Sequence, residues 1–144
     1  IDDPVISAYV DALDEPIRAY MQSVGTDDDH PLTSRNTGDY RIAGSWSVRL
    51  RGGGRHVNHV HPEGWISSAY YVSVPEDVDD DSLKADWIKF GEPPFECDPP
   101  APPQKWIKPI AGTLVLFPSY LWHGTKPILD GSERVTAPFD AVPV

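Results

Sequence analysis

The stretch HVNHVHPEGWISSAYYVSVP, residues 56–75, decides how the chain must be read, because it joins three closely spaced histidines to an uninterrupted β pattern. From Trp65 to Val74 the run WISSAYYVSV is rich in β-branched and aromatic residues and lies between Gly64 and Pro75. Such a composition suits a pleated, half-buried strand. Outward from it, the same texture returns in RIAGSWSVRL (41–50), HVNHVH (56–61), DWIKFG (86–91), TLVLFP (113–118) and ERVTAPFDAV (133–142), each with turn residues at its ends. In SWSVRLR (45–51), Trp46, Val48 and Leu50 alternate with Ser47, Arg49 and Arg51, which predicts one buried and one polar face. GGG at 52–54 predicts a hairpin turn. Roughly six to eight strands are expected, with no helix-length segment between them, so the sheets should be antiparallel and the architecture a sandwich, barrel or jelly roll.

Upstream of Tyr40 the period changes. Val5, Ile6, Tyr9, Val10, Leu13, Ile17, Tyr20 and Met21 recur at spacings of three and four, as in an amphipathic helix. Pro4 suits its first turn, and Pro16 is expected to kink it or divide it into two short helices on one face. TDDDHP (26–31), SRNTGD (34–39) and the acidic PEDVDDDSL (75–83) predict connections, the last without the spacing of a calcium-binding loop. PPFECDPPAPPQ (93–104) predicts an extended polyproline segment, read as a rigid arm over the barrel in preference to a docking segment. The 144 residues are expected to form one catalytic domain, 1–40 as helical support and 41–144 as the β core, and the start on Ile1 leaves room for upstream sequence.

Composition narrows the function classes. Sixteen prolines, against about seven at ordinary usage, exclude a helical bundle or coiled coil. With 12 Lys+Arg against 22 Asp+Glu the net charge is -10, which repels polyanions, so no nucleic-acid partner is expected. A hydrophobic share of 40 % with five Trp is enough to build a core. The single cysteine, Cys97, cannot form an internal disulfide, and a cytoplasmic location is the expectation. No run approaches the roughly 20 apolar residues of a membrane span, and IDDPVISAYV lacks the flank of a signal peptide.

The chemistry is concentrated in the β part. Residues i and i+2 of a strand point to the same side about 6.5 Å apart, so His59 and His61 can converge on one metal ion while His56 faces the other way. A third ligand must come from another strand, and His123 closes the run TLVLFPSYLWH. Taken alone, His-x-His reads first as a pair of hydrogen-bonded structural histidines, and only the rest of the constellation turns it toward a metal. Arg134 shares a strand face with Thr136, and the turn GTKPILDGS (124–132) lets their strand fold back beside the one ending at His123. A guanidinium and a hydroxyl in a pocket of low dielectric are suited to gripping a carboxylate. Ser119 and His123 do not suggest a hydrolase, since no Gly-x-Ser-x-Gly elbow is present.

Taken together, GSWSVRLR, HVNHVHPEGWISSAYYVSVP, WIKFGEP, AGTLVLFPSYLWHGTKP and ERVTAPFDAVP, in order from about Ile42 to Pro143, resemble the 2-oxoglutarate/Fe(II)-dependent oxygenases related to prolyl hydroxylases. The resemblance implies a mainly β fold, a double-stranded β-helix of the jelly-roll or cupin-like kind, with N-terminal packing helices. It also implies Fe(II) and 2-oxoglutarate as cofactors. The metal pair would stand just before the doublet Tyr70–Tyr71, with His123 as the distal histidine. Arg134 and Thr136 would hold the remote carboxylate of 2-oxoglutarate, with a Tyr70 or Tyr71 hydroxyl beside it. The wider superfamily uses two histidines and one carboxylate, whereas this sequence has His59-x-His61 in that place. Either His59, His61 and His123 hold the metal, or a register moved by two makes the set His61, Glu63 and His123; both remain open at this point.

The implied activity is hydroxylation of a small-molecule or peptide substrate by O2, with release of succinate and CO2. The catalytic residues would be His59, His61, His123 and Arg134. A homodimer is compatible with the sequence. Trp46, Trp65 and Trp122 are candidates for cavity walls, though for each the plain core reading is preferred. Two other readings compete. One is a cupin-like metal protein, an isomerase or a dioxygenase without cosubstrate, which would have no use for Arg134. The other is a non-catalytic binding module with structural histidines.

Overall fold

Asp3 starts the first helix: its side chain accepts hydrogen bonds from the Val5 and Ile6 N–H groups at 2.8 and 3.2 Å, and Pro4 fills the first turn, where a missing N–H costs nothing. In the computed structural model, which describes residues 3–144 apart from the side chain of Asp77, helix α1 (Pro4–Ala12) gives way at Leu13 to helix α2 (Asp14–Val24). The division expected at Pro16 falls three residues earlier, because proline is accommodated in the first turn of α2 but not in a helix interior. Leu13, Ile17 and Met21 lie one turn apart and are buried with Leu32, Trp65, Ile66, Phe139 and Ala141. On α1, Val5, Ile6 and Val10 are exposed, so the apolar stripe reaches the core only through Tyr9 and the residues of α2.

Among the described residues nine strands follow: β1 (Tyr40–Ser45), β2 (Val48–Arg51), β3 (Ile66–Ser73), β4 (Ile88–Phe90), β5 (Lys105–Ile107), β6 (Leu114–Pro118), β7 (His123–Thr125), β8 (Glu133–Thr136) and β9 (Phe139–Pro143). Six form a sheet in the order β1-β9-β3-β8-β2, with β6 on the other edge of β3, and β5-β4-β7 form a second sheet. Every pairing is antiparallel. The layers are visible in β6: Leu114 and Leu116 pack toward the helices, whereas Val115 and Phe117 meet Ile88, Phe90 and Ile107 of the small sheet. A strand covered on both sides has no need of polar alternation, which is why TLVLFP is continuously apolar. The mainly β, double-stranded β-helix architecture with N-terminal packing helices is thus the one expected.

Several local expectations are corrected. RIAGSWSVRL divides into β1 and β2 around Trp46 and Ser47, and ERVTAPFDAV into β8 and β9 at Ala137 and Pro138, where proline offers no ladder donor. GGG makes a turn but no hairpin, since β2 pairs with β8 and the Gly53 N–H instead reaches the Ile128 carbonyl at 2.7 Å. HVNHVH contains no strand, only an isolated bridge from His59 to His123. The strand of Arg134 does not lie beside that of His123: β8 pairs with β2 and β3, whereas β7 pairs with β4. The acidic segment is partly structured, with a 3-10 turn over Glu76–Asp79, a buried Val78 and an ion pair from Lys108 to Asp79 at 2.9 Å. Among the described residues no helix is long and apolar enough to cross a membrane.

Ile17 is wholly buried between α2 and the large sheet. Ile17→Ala is expected to cost about 2–5 kcal/mol in urea unfolding, whereas Val5→Ser on the exposed face of α1 should stay within about 0.5 kcal/mol of the parent.

Candidate functional site

The site is assembled by backbone hydrogen bonds between segment 56–61 and segment 119–125. His59 N–H donates to the His123 carbonyl at 2.9 Å and His123 N–H to the His59 carbonyl at 3.0 Å. On either side, His61 N–H reaches Ser119 O at 2.9 Å and Thr125 N–H reaches His56 O at 3.0 Å. The approach is close enough to require glycine at 124, where a Cβ would stand 2.9 Å from the His56 carbonyl oxygen and collide with Asn58 Oδ1. Asn58 is itself held by Glu92 Oε2 at 2.9 Å, and Glu92 also pairs with Lys89.

This register brings the imidazoles of His59, His61 and His123 together, with one donor atom from each inside a 4.8 Å circle. Their hydrogen bonds fix which nitrogen is free. His59 Nδ1 lies 2.7 Å from the Val57 carbonyl, His123 Nδ1 lies 2.9 Å from the Leu121 carbonyl, and His61 Nδ1 lies 2.7 Å from Asp140 Oδ2. All three partners are acceptors, so each Nδ1 carries a proton, and in the neutral ring that can ligate a metal Nε2 is then the nitrogen with a free lone pair. His59 Nε2 and His61 Nε2 nevertheless stand 3.1 Å apart. Two such lone pairs repel unless a cation lies between them, and two nitrogens bound at about 2.1 Å and at right angles to one ion would be about 3.0 Å apart. Burial pushes the His123 imidazole down to about 4, which keeps it neutral and able to ligate at ordinary pH. The residues therefore fit a divalent transition-metal ion. Glu63 is exposed on the turn after His61 and is not among the donors that meet.

Behind the histidines is a cavity of about 120 Å³ lined also by Trp46, Ser68, Tyr71, Phe117, Arg134 and Thr136. Arg134 and Thr136, alternate residues of β8, are 2 % and 4 % exposed. Arg134 donates through Nη1 to Asp86 Oδ1 at 2.6 Å, in a pair whose two side chains are essentially out of solvent. Its Nε has no hydrogen-bond partner among the described residues, which leaves a buried donor at the cavity. The Tyr doublet divides: Tyr71 lines the cavity with its hydroxyl pKa pushed up by burial, while Tyr70 packs at a tilt against Tyr9 of α1 with ring centroids 5.1 Å apart. Tyr70 is therefore corrected from a pocket residue to a packing residue, because neighbours on a strand face opposite sides.

Among the tryptophans, Trp46 is at the pocket, 6.1 Å from the His61 ring. Trp65 is core, its indole N–H bonded to Leu32 O at 2.7 Å, and Trp122 packs edge-on against Phe95. His56 was expected to face away, but it lines the same cavity, with burial and the nearby Arg134 charge lowering its pKa to about 4. It also borders, with Thr125, a larger cleft of about 850 Å³ whose wall is the proline arm from Pro93 to Pro102. Sequence reasoning missed Asp86 and Asp140. The one available signal was an acid set between the apolar Phe139 and Ala141 on a strand.

Residues 44–140 match the family described as "Putative 2OG-Fe(II) oxygenase". The fold is similar to an oxidoreductase of the 2OG-Fe(II) oxygenase family from Burkholderia pseudomallei, with a TM-score of 0.54 and 12 % identity over 72 % of this chain and 45 % of that one. It is also similar to a Pseudomonas putida prolyl-4-hydroxylase, with a TM-score of 0.58 and 16 % identity over 99 % of this chain and 69 % of that one. The chain thus spans less than half the length of the first of these proteins. No curated protein matches it. The family match covers more than half of the chain and takes in the three histidines, Arg134 and Asp140, and the chain belongs to this family of 2OG-Fe(II) oxygenases.

Proposed function

We propose that the chain is the catalytic domain of an Fe(II)- and 2-oxoglutarate-dependent dioxygenase that hydroxylates a small molecule or a peptide. The observation that carries this reading is the gathering of three imidazoles, one donor atom from each within 4.8 Å of the others, in a cavity that also holds a buried arginine. His59, His61 and His123 would hold Fe(II), and three protein ligands leave other coordination positions open. When bound, iron and 2-oxoglutarate supply the oxidising chemistry, with O2 as oxidant and succinate and CO2 as co-products.

The chain's own groups do the holding. Arg134 and Thr136 would bind the remote carboxylate, with the Tyr71 hydroxyl as a further donor kept protonated by its burial. Asp86, bonded to Nη1, fixes the plane of the guanidinium so that its fork does not have to be ordered on binding. Trp46 and Phe117 form apolar walls that keep water from the reacting centre. The wide cleft along the proline arm meets the metal cavity at His56 and Thr125 and is the natural route for a substrate too large for the inner cavity. A second reading, a metal enzyme without cosubstrate, is favoured by one feature, the carboxylate partner that Arg134 already has in Asp86.

Anaerobic addition of Fe(II) and then 2-oxoglutarate should give a visible charge-transfer band, and His123→Ala should abolish it. Arg134→Lys keeps the charge but loses the fork, and it should weaken 2-oxoglutarate binding about tenfold or more with little change in iron affinity. No band in the parent protein, with iron still bound, sinks the oxygenase reading and favours the second one; a band whose 2-oxoglutarate dependence ignores Arg134→Lys overturns the role given to Arg134.

Arg134→Met leaves the Asp86 carboxylate in the interior without this cation and should cost about 3–5 kcal/mol in urea unfolding. Most of that loss should return in the double variant Asp86→Asn/Arg134→Met.

A further inference from the structure

Of the three ligand histidines, His59 and His123 give their Nδ1 protons to backbone carbonyls, and only His61 gives its proton to a carboxylate. Both oxygens of Asp140 are within reach, Oδ1 at 2.8 Å and Oδ2 at 2.7 Å from His61 Nδ1. Asp140 is fixed from two further directions. Ser67 Oγ donates to Oδ1 at 2.7 Å and is itself 2.8 Å from Ser119 Oγ, so β3 and the segment after β6 both brace it. On β9 its neighbours Phe139 and Ala141 are wholly buried toward the helices, so alternation turns Asp140 to the pocket side. Its side chain is only 17 % exposed, and in this one position it accepts from both His61 and Ser67.

We propose that Asp140 is a positioning residue that supplies, through His61, the negative charge that the three-histidine set lacks. This rests on the metal reading given above. A carboxylate accepting the Nδ1 proton of a ligand histidine fixes the tautomer and raises the basicity of Nε2, and the removal of such partners costs 10–100-fold in metal affinity. In a superfamily whose metal set includes a carboxylate, the acid here stands one imidazole further from the ion. The charge is transmitted along the ring instead of being coordinated, and the ion gains an electron-richer His61 without losing a nitrogen ligand.

Asp140→Asn separates charge from geometry, since the amide oxygen still accepts from Nδ1–H; Asp140→Ala removes both. Anaerobic Fe(II) titration against a competing chelator, with no cosubstrate present, should show about tenfold weaker binding for Asn and up to about 100-fold for Ala. With 2-oxoglutarate added, the charge-transfer band of Asp140→Asn should move to shorter wavelength, because a less electron-rich iron gives up its electron at higher energy. A purely structural role would lower the unfolding midpoint without moving that band. In the unmodified protein loaded with Zn(II), the His61 Nδ1 proton should be the furthest downfield of the three, as befits a hydrogen bond to a charged acceptor, and this holds even if a variant fails to fold. Parent-like affinity and band position in Asp140→Asn, or a His61 proton no further downfield than those of His59 and His123, overturns the role of Asp140 and leaves the metal reading standing. Failure of the parent protein to bind Fe(II) overturns both.

Discussion

The exchange of two backbone hydrogen bonds between His59 and His123 is the constraint on which the site depends. Segment 56–61 has no sheet of its own, so its register is set by four backbone bonds to segment 119–125. Alternation makes that register decisive: a slip of one residue would turn both His59 and His61 to the wrong side. The segment is also tied at its exit, where Trp65 N–H meets Ala141 O at 3.1 Å and Ser119 N–H meets Trp65 O at 3.0 Å. It therefore crosses from the small sheet, through β7, to the large sheet, through β3. Gly124 permits this crossing, because any side chain there would force the two backbones apart.

The second constraint is electrostatic. An ion pair as deeply buried as Asp86–Arg134 is poor value for stability alone, since desolvation of both charges offsets most of their attraction and an apolar pair of similar shape often does as well. Asp86 also holds a left-handed backbone, with φ of 62° for a residue that is not glycine, which costs of order 1–3 kcal/mol. Two unfavourable features at one residue point to a geometric task, and the task consistent with its contact is to keep the Arg134 fork still. Strain and buried charge accumulate where a site must be pre-organised.

The fold was legible because composition and turn residues mark strands locally: WISSAYYVSV, TLVLFP and ERVTAPFDAV all yield strands, though the last is broken by Pro138. HVNHVH was misleading in an instructive way. The alternation of His59, Val60 and His61 is that of a strand, yet what alternates is the side of a pinned loop, so the side-to-side assignment of His59 and His61 survives without the strand. Tyr70 and Tyr71 were indistinguishable because both faces of β3 are covered, one by α1 and one by the pocket, and hydrophobic pattern cannot rank two covered faces. Asp86 and Asp140 were out of reach for another reason. Their partners lie 48 and 79 residues away, and no local period records a contact made by topology.

The net charge of -10 gains a meaning once the inner charges are located. An acidic exterior concentrates cations near the mouth and repels free dianions. Inside, Arg134 and Asp86 cancel, and Asp140 keeps its charge because hydrogen bonds from His61 and Ser67 outweigh the burial that opposes it. Among the described groups at the pocket the balance before metal binding is thus negative, and a dicarboxylate meets no net attraction there. A divalent ion held by the three imidazoles would reverse that sign in the cavity that Arg134 also lines, where charges are weakly screened. On the reading proposed above, a divalent ion would therefore have to be in place before a dicarboxylate could be drawn into this pocket.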